Sequence, residues 1–244
     1  NSKLDEDLEF FKKVAVDYLL NIIKTDLSNF GVTFDVWTSE KSIRAKGRIE
    51  ESLKILDEKG LVYKKDDATW LKTTVYGDDK DRVLIKTDGS YTYLVPDIAY
   101  HLDKFDRGFD YLVDVFGADH HSYVSRLKAS IEALGYDKDK LEVRLLQMVR
   151  LLRDGEIVKM SKRTGGNITI SELVGEIGKD AARYFFATRS LDGQMDFDIN
   201  LALKKSSENP FFYVGYANAR ICSILKDAKE KNIDICTEIK EGLD

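Results

Sequence analysis

The sequence predicts an α/β protein built on part of a doubly wound parallel sheet, with an α/β segment before it and a mainly helical segment after it. Three observations carry this. Between residues 98 and 152, helical spacing and short apolar runs alternate as helix, strand, helix, strand. The run from Tyr111 to Phe116 is almost continuously apolar and bounded by Asp110 and Gly117, which suits a parallel strand covered on both faces. Gly117-Ala118-Asp119-His120-His121 follows at once, at the strand carboxyl end where open α/β sheets bind ligands.

Taken in order, Asp5 to Leu27 reads as a long amphipathic helix, with Leu8, Phe11, Ala15, Tyr18 and Ile22 spaced three and four apart. Gly31 ends it, and Val32, Phe34 and Val36 alternate with polar residues as a short strand. A second helix runs to about Lys59, with Ile49, Leu53 and Leu56 on one face and Gly60 as its stop. Leu61-Val62-Tyr63 and Trp70-Leu71-Lys72 then flank a polar stretch as a hairpin. A second hairpin places Val83-Leu84-Ile85 and Tyr91-Thr92-Tyr93 around Asp88-Gly89, a pair that favours primed turns.

Ile98 to Phe105 is expected to be helical, as is His121 to Leu134, whose stripe is Val124, Leu127 and Ile131. Val143 to Leu152 reads as one buried strand, and Arg153-Asp154-Gly155-Glu156 turns the chain back into Ile157-Val158. Beyond it, Ser171 and Asp180 are the candidate caps of two short helices, and a longer helix spans Asn209 to Ala228.

Composition removes several classes of function. A chain of 244 residues with 43% hydrophobic and 33% charged residues can close a substantial core and is globular rather than disordered. No apolar run approaches the roughly 20 residues of a membrane helix, and the N-terminus lacks a signal-peptide pattern. Cys222 and Cys236 have no C-x-x-C pairing, so neither zinc nor a disulfide framework is expected, and a reducing cytoplasm is the default. The net charge of −5 argues against indiscriminate nucleic-acid binding. The stretch from Arg144 to Arg220 nevertheless holds twelve basic and nine acidic residues, a weak sign of a surface suited to phosphate.

Three constellations carry chemistry. Lys159-Met160-Ser161-Lys162-Arg163 sits after a tight hairpin and just before Gly165-Gly166: two cations on flexible stems with a hydroxyl between them. Reactions at polyphosphates need such cations, because charge builds on phosphate oxygens in the transition state. A solvated basic loop is the plain alternative. At the Tyr111–Phe116 strand end, Gly117 permits close approach of a flat ligand, Asp119 can accept from ribose hydroxyls, and a following helix N-terminus favours phosphate. Asp119 as a simple helix cap explains the same residues equally well. In Tyr91-Thr92-Tyr93-Leu94-Val95-Pro96-Asp97, the aspartate is either another helix cap or a carboxylate placed for a planar cation, with the Tyr93 hydroxyl beside it.

Together these segments resemble the class I aminoacyl-tRNA synthetases, and among them the arginyl-tRNA synthetases. Lys159–Arg163 resembles the K-M-S-K-S loop, with Arg163 in place of the final Ser. Thr92–His101, Met195–Ala202 and Glu208–Ile221 resemble segments of the arginine enzymes, and the likeness extends over nearly all of residues 1–230. The resemblance implies the second half of a nucleotide-binding, Rossmann-like fold. Residues 1–88 would form a connective α/β insertion, 89–163 the half-fold, 164–203 a small helical stem-contact region, and 204–244 the start of a helical tRNA-binding domain.

It further implies ATP-dependent activation of L-arginine and transfer to its tRNA. Lys162, with Lys159 and Ser161, would act on the departing pyrophosphate. Gly117, Asp119, His120, Met160, Lys162 and Arg163 would hold ATP, while Tyr93, Asp97 and His120 would hold arginine. Tyr213, Tyr216, Asn218 and Arg220 are the tRNA-facing candidates on a helix whose Phe212, Val214, Ala217, Ile221 and Leu225 read as core. Magnesium would travel with ATP on phosphates and water, without dedicated protein ligands. A cytoplasmic monomer is expected. One departure stands out: the family's H-I-G-H signature has no counterpart, since the three histidines are His101, His120 and His121. The chain is therefore expected to be part of a longer enzyme and inactive alone. A tRNA-binding or regulatory fragment without catalysis is the alternative.

Overall fold

The structure, a computed structural model, describes residues 2–158 and 168–233, with side chains from residue 7 onward. The chain divides into two compact units, one of residues 34–148 and 191–194 and the other of 1–33, 149–190 and 195–244. Helix α1 (Ser2–Phe30) opens the chain and belongs to the second of these.

In the unit of residues 34–148 the expected strand at Val32–Val36 is absent. Phe34 and Val36 are exposed, and Phe34 packs edge-to-face on Trp37 instead of entering a sheet. The single helix expected up to Lys59 is two, α2 (Glu40–Ala45) and α3 (Arg48–Glu58). They part at Gly47, whose φ of +71° is left-handed and cannot continue a helix. β1 (Val62–Lys65) and β2 (Ala68–Leu71) pair antiparallel across Asp66-Asp67, both with positive φ, which the short aspartate side chain tolerates in a two-residue primed turn.

β3 (Arg82–Ile85) adds to the other edge of β2. The second hairpin is only partly formed: Tyr91 makes one bridge to Ile85, and the chain enters α4 (Leu94–Asp106) before Tyr93 can extend a strand. Pro96 is tolerated in that first turn because its missing N–H has no intrahelical partner there.

β4 (Leu112–Gly117) and β5 (Leu141–Leu146) pair in parallel, joined by a 3-10 turn (Ala118–Tyr123) and α5 (Val124–Leu134). Leu112 and Asp114 point into the unit, while Val113 and Val115 are exposed, so within the described residues β4 is covered on one face only. The core closes around Leu71, Leu84, Ile98, Leu102, Leu127, Ile131 and Leu141. The expected strand Val143–Leu152 breaks at Gln147-Met148, where the Gln147 N–H leaves the ladder for the Leu191 carbonyl. Its second half, β6 (Val149–Arg153), belongs to another sheet.

In the second unit β6 forms the centre of a three-stranded sheet. β7 (Glu156–Ile157) returns against it through Asp154 and Gly155, both left-handed, as the turn residues predict. α6 (Ile170–Ile177) is capped by Thr169, not Ser171: its hydroxyl accepts from the Glu172 N–H and Glu172 reaches back to the Thr169 N–H. α7 (Lys179–Ala187) starts at Gly178 with no side-chain cap, and Asp180 lies within its first turn. β8 (Met195–Asp198), parallel to β6, and α8 (Ile199–Leu203) were not foreseen. They bury Phe197 and Ile199 against Leu151, Leu173, Phe185 and Met195.

α9 (Pro210–Glu230) is capped by Asn209, which accepts from the Phe211 and Phe212 N–H groups while donating to the Ala202 and Lys204 carbonyls. α9 buries none of its residues, and Phe212, Val214, Ala217, Ile221 and Leu225 are all exposed, against their expected core role. Leu8, Phe11, Tyr18 and Ile22 on α1 are exposed in the same way. Only the last turns of α1 become half-buried, where Phe30 meets Phe186. No described helix is long and apolar enough to cross a membrane.

Candidate active site

The unit of residues 34–148 contains a cavity of about 700 Å³. The first turn of α4 supplies Tyr93, Pro96 and Asp97. The chain entering β3 supplies Lys80 to Val83, and β2 adds Trp70. Phe116 at the end of β4 and His120, Tyr123 and Arg126 just beyond it close the far wall. This is the crevice at the strand carboxyl end, as the sheet topology predicts.

Asp97 does not cap α4: the cap position is Tyr93, and no side-chain cap bond is made. Its carboxylate is half-buried and accepts a short hydrogen bond from the Tyr123 hydroxyl. Burial pushes the Asp97 carboxyl above the ordinary carboxylate range, helped by the negative charges of Asp114 and Glu40, while Tyr123 and His101 oppose the rise. Burial and Asp97 together raise the Tyr123 phenol far above its usual value, so it acts as a donor. No lysine or arginine among the described residues pairs with Asp97. A half-buried carboxylate with one oxygen engaged and no counter-ion is poised to take a cation.

Tyr93 stands 89% exposed at the rim of the cavity. The His120, Phe116 and Tyr123 rings cluster as a triangle, with His120 5.7 Å from Phe116 and 6.2 Å from Tyr123, and 6.3 Å between the other two. Gly117 has an ordinary extended backbone; what it provides is space, since a Cβ there would lie 2.5 Å from Asp119 Oδ1. Asp119 folds back over the strand end, remains exposed and makes no cap. Tyr93, Asp97 and His120 thus line one cavity, with Gly117 and Asp119 on the strand end that leads into it.

Lys159, Met160, Ser161, Lys162 and Arg163 lie outside the described residues. The hairpin before them is formed, with the Val158 N–H donating to the Leu151 carbonyl at 2.9 Å. Tyr213, Tyr216 and Arg220 share one face of α9, where Arg220 donates to the Tyr216 hydroxyl at 3.2 Å; Asn218 falls on a different face at helical spacing. All four are exposed.

Sequence reasoning missed Trp70, Lys80, Tyr123 and Arg126. Tyr123 was within reach, an aromatic donor three residues after His120. Arg126 stands over the Tyr123 ring at 5.3 Å with a buried, unpartnered Nε, and nothing local announces it.

A parallel strand pair with a half-buried carboxylate in the cavity at its carboxyl end narrows the class, and comparison with known proteins agrees. The family described as tRNA synthetases class I (R), catalytic domain, matches residues 2–192, and the chain belongs to that family. It is 57% identical over 228 residues to the arginine–tRNA ligase of Bacillus licheniformis, covering 93% of this chain and 41% of that protein. To the arginine–tRNA ligase of Bacillus subtilis it is 55% identical over 233 residues, covering 96% and 42%. The chain thus spans about two fifths of the length of these relatives. A solved Campylobacter jejuni structure assigned as an arginyl-tRNA synthetase superposes with a TM-score of 0.83 at 38% identity, covering 94% of this chain and 51% of that one. The arginyl-tRNA synthetase of Thermus thermophilus shares the fold, with a TM-score of 0.74 at 17% identity over 88% of this chain and 46% of that one.

Proposed function

We propose that the full-length enzyme carrying this segment is an arginine–tRNA ligase. It joins ATP and L-arginine into arginyl-adenylate with release of pyrophosphate, then passes the arginyl group to the terminal ribose of its tRNA with release of AMP. The observation that carries this is Asp97: a half-buried carboxylate in a cavity of about 700 Å³, oriented by Tyr123 and without a cation of its own. A guanidinium satisfies it with two parallel hydrogen-bond donors, where an ammonium offers a point charge.

In this reading Asp97 and Tyr93 take the guanidinium and His120 lies between arginine and nucleotide. Gly117 and Asp119 receive the adenosine of ATP. Lys162, assisted by Lys159 and Ser161, stabilises the departing pyrophosphate, and Met160 and Arg163 flank the phosphates. Activation then depends on positioning and charge stabilisation rather than on a covalent enzyme intermediate. Magnesium accompanies ATP on phosphate oxygens and water, and no described residue is assigned to it. Tyr213, Tyr216, Asn218 and Arg220 face tRNA. The functional division at residues 88, 163 and 203, a monomeric state and a cytoplasmic location belong to the same proposal.

The test is Asp97→Asn in the full-length enzyme, with arginine and ATP affinities measured separately. Arginine affinity is expected to fall by about 3 kcal/mol, since the desolvated guanidinium loses its counter-ion, while ATP affinity stays the same. Unchanged arginine binding overturns the assignment.

A further inference from the structure

Behind Asp97 lies a buried charged cluster that the proposed chemistry does not use. His101 is 3% exposed and Asp114 7%. The His101 ring stands between two oxygens, 2.7 Å from the Asp97 backbone carbonyl through Nδ1 and 2.7 Å from Asp114 Oδ2 through Nε2. Lys104 Nζ lies 2.8 Å from the other Asp114 oxygen. A backbone carbonyl only accepts, so Nδ1 donates to Asp97, and Nε2 faces the Asp114 carboxylate. Although burial pushes the Asp114 carboxyl up, the His101 and Lys104 hydrogen bonds hold it at about 2.

The arrangement links two elements that meet at the cavity. Asp114 sits within β4, fixed opposite Val143 in the parallel ladder. The Asp97 carbonyl belongs to the first turn of α4, the turn that aims the Asp97 side chain. His101 therefore ties that turn to the strand whose end carries Gly117, Asp119 and His120.

We propose that His101, clamped between Asp114 and the Asp97 carbonyl, is a positioning residue that holds Asp97 in register with β4 for guanidinium recognition. This rests on the assignment of arginine to Asp97. It predicts that loss of the clamp is felt as loss of arginine recognition, not only as loss of stability.

Lys104 provides the control, because it contacts the same Asp114 carboxylate but has no bond to the α4 first turn. In the full-length enzyme, His101→Gln should raise the KM for arginine about tenfold with the KM for ATP unchanged, and Lys104→Met should lower thermal stability without moving either KM. If the two variants lose stability alike and neither shifts arginine KM, His101 is structural only and the proposal is overturned. Should His101→Gln not fold, Asp114→Asn reads the same clamp from its other end: an arginine-specific rise in KM supports the proposal, and unchanged KM overturns it. Asp97→Asn, measured alongside, separates the two levels. If it leaves arginine binding intact the site assignment fails, whereas if it abolishes binding while the clamp variants do not, only the clamp fails.

Discussion

The two units bury different things. In the unit of residues 34–148, charged side chains are interior and matched. Arg82 makes a two-point contact with Asp78 at 2.6 and 2.8 Å and also meets Asp79, and His101 and Lys104 enclose Asp114. In the other unit the described interior buries no charged residue and is apolar apart from the capping Asn209, centred on Phe197, and its longest helices, α1 and α9, leave their apolar residues exposed. Buried, paired charge is costly to assemble and orients side chains sharply; an exposed apolar stripe does neither. In the first unit the paired charges therefore fix side-chain orientations close to its cavity. The second offers surfaces, and its β6–β7 hairpin comes just before Lys159–Arg163 in the chain.

That contrast breaks most visibly at Arg82. The Asp78 side chain is fully buried, and against burial, which raises its pKa, the bonds from Arg82 and the Asp79 N–H hold it well below the carboxylate range. Arg82→Met removes the cation and strands the carboxylate, a loss expected to cost about 3–5 kcal/mol. Urea unfolding of the chain reads it. A loss below 1 kcal/mol would mean the pair is not the structural element its burial indicates.

The division of labour is sharpened by Lys162. If the basic loop serves the reaction and the cavity serves binding, Lys162→Ala in the full-length enzyme should raise the activation barrier by about 3 kcal/mol with arginine affinity unmoved. Pre-steady-state ATP–pyrophosphate exchange beside equilibrium arginine binding separates the two. Near-normal turnover removes Lys162 from the mechanism.

Much of the architecture was legible because local signals and long-range packing agreed. Leu112–Gly117 is a strand, though covered within the described residues on one face and not the expected two, Leu127 and Ile131 face the core, and Asp154-Gly155 turns the hairpin. Where they disagreed the sequence misled. Gly47 interrupts a helix because its left-handed backbone overrides the apolar spacing around it. Met195-Asp196-Phe197-Asp198 is a strand because β6 accepts it in parallel, a contact 46 residues away. At the site, Asp97 was legible only as a choice between cap and ligand. The helix start at Leu94 rules out the cap, the Tyr123 hydroxyl that engages Asp97 comes from 26 residues further on, and Trp70 and Arg126 reach the cavity through tertiary packing alone.

Acid unfolding tests the charged interior at a smaller scale. Asp114 has a folded pKa of about 2 against an ordinary value of 3.8, so it is depressed by folding. Its contribution is present in full above the unfolded value and is lost as pH falls through the folded one, roughly from pH 4 to pH 2. One such group is worth about 2 kcal/mol over that window. Asp97 runs the other way. Its folded pKa is raised, so its ionisation weakens the fold as pH rises, and protonating it on the way down gives part of that stability back. Asp114→Asn should flatten the stability–pH curve between pH 4 and 2, and Asp97→Asn should leave the fold as stable as before or more so at neutral pH. A curve unaltered by Asp114→Asn would show that His101 and Lys104 do not hold that carboxyl down.

The smallest expected effect lies on α9, and it bears on the same contrast from the apolar side. Ile221 and Leu225 are spaced four apart on one helix face, as core residues are, yet they are 56% and 44% exposed. If exposure is the true state of the 244-residue chain, Ile221→Ser removes little buried surface and should cost no more than about 0.5 kcal/mol. Ile131 is fully buried in the other unit, so Ile131→Ser should lose at least about 3 kcal/mol through its cavity and its stranded hydroxyl. Unfolding the two variants side by side compares one side chain, one substitution and two environments. Equal losses would mean that the α9 stripe is covered in solution, and that the unit of exposed helices buries as much as the unit of buried charge.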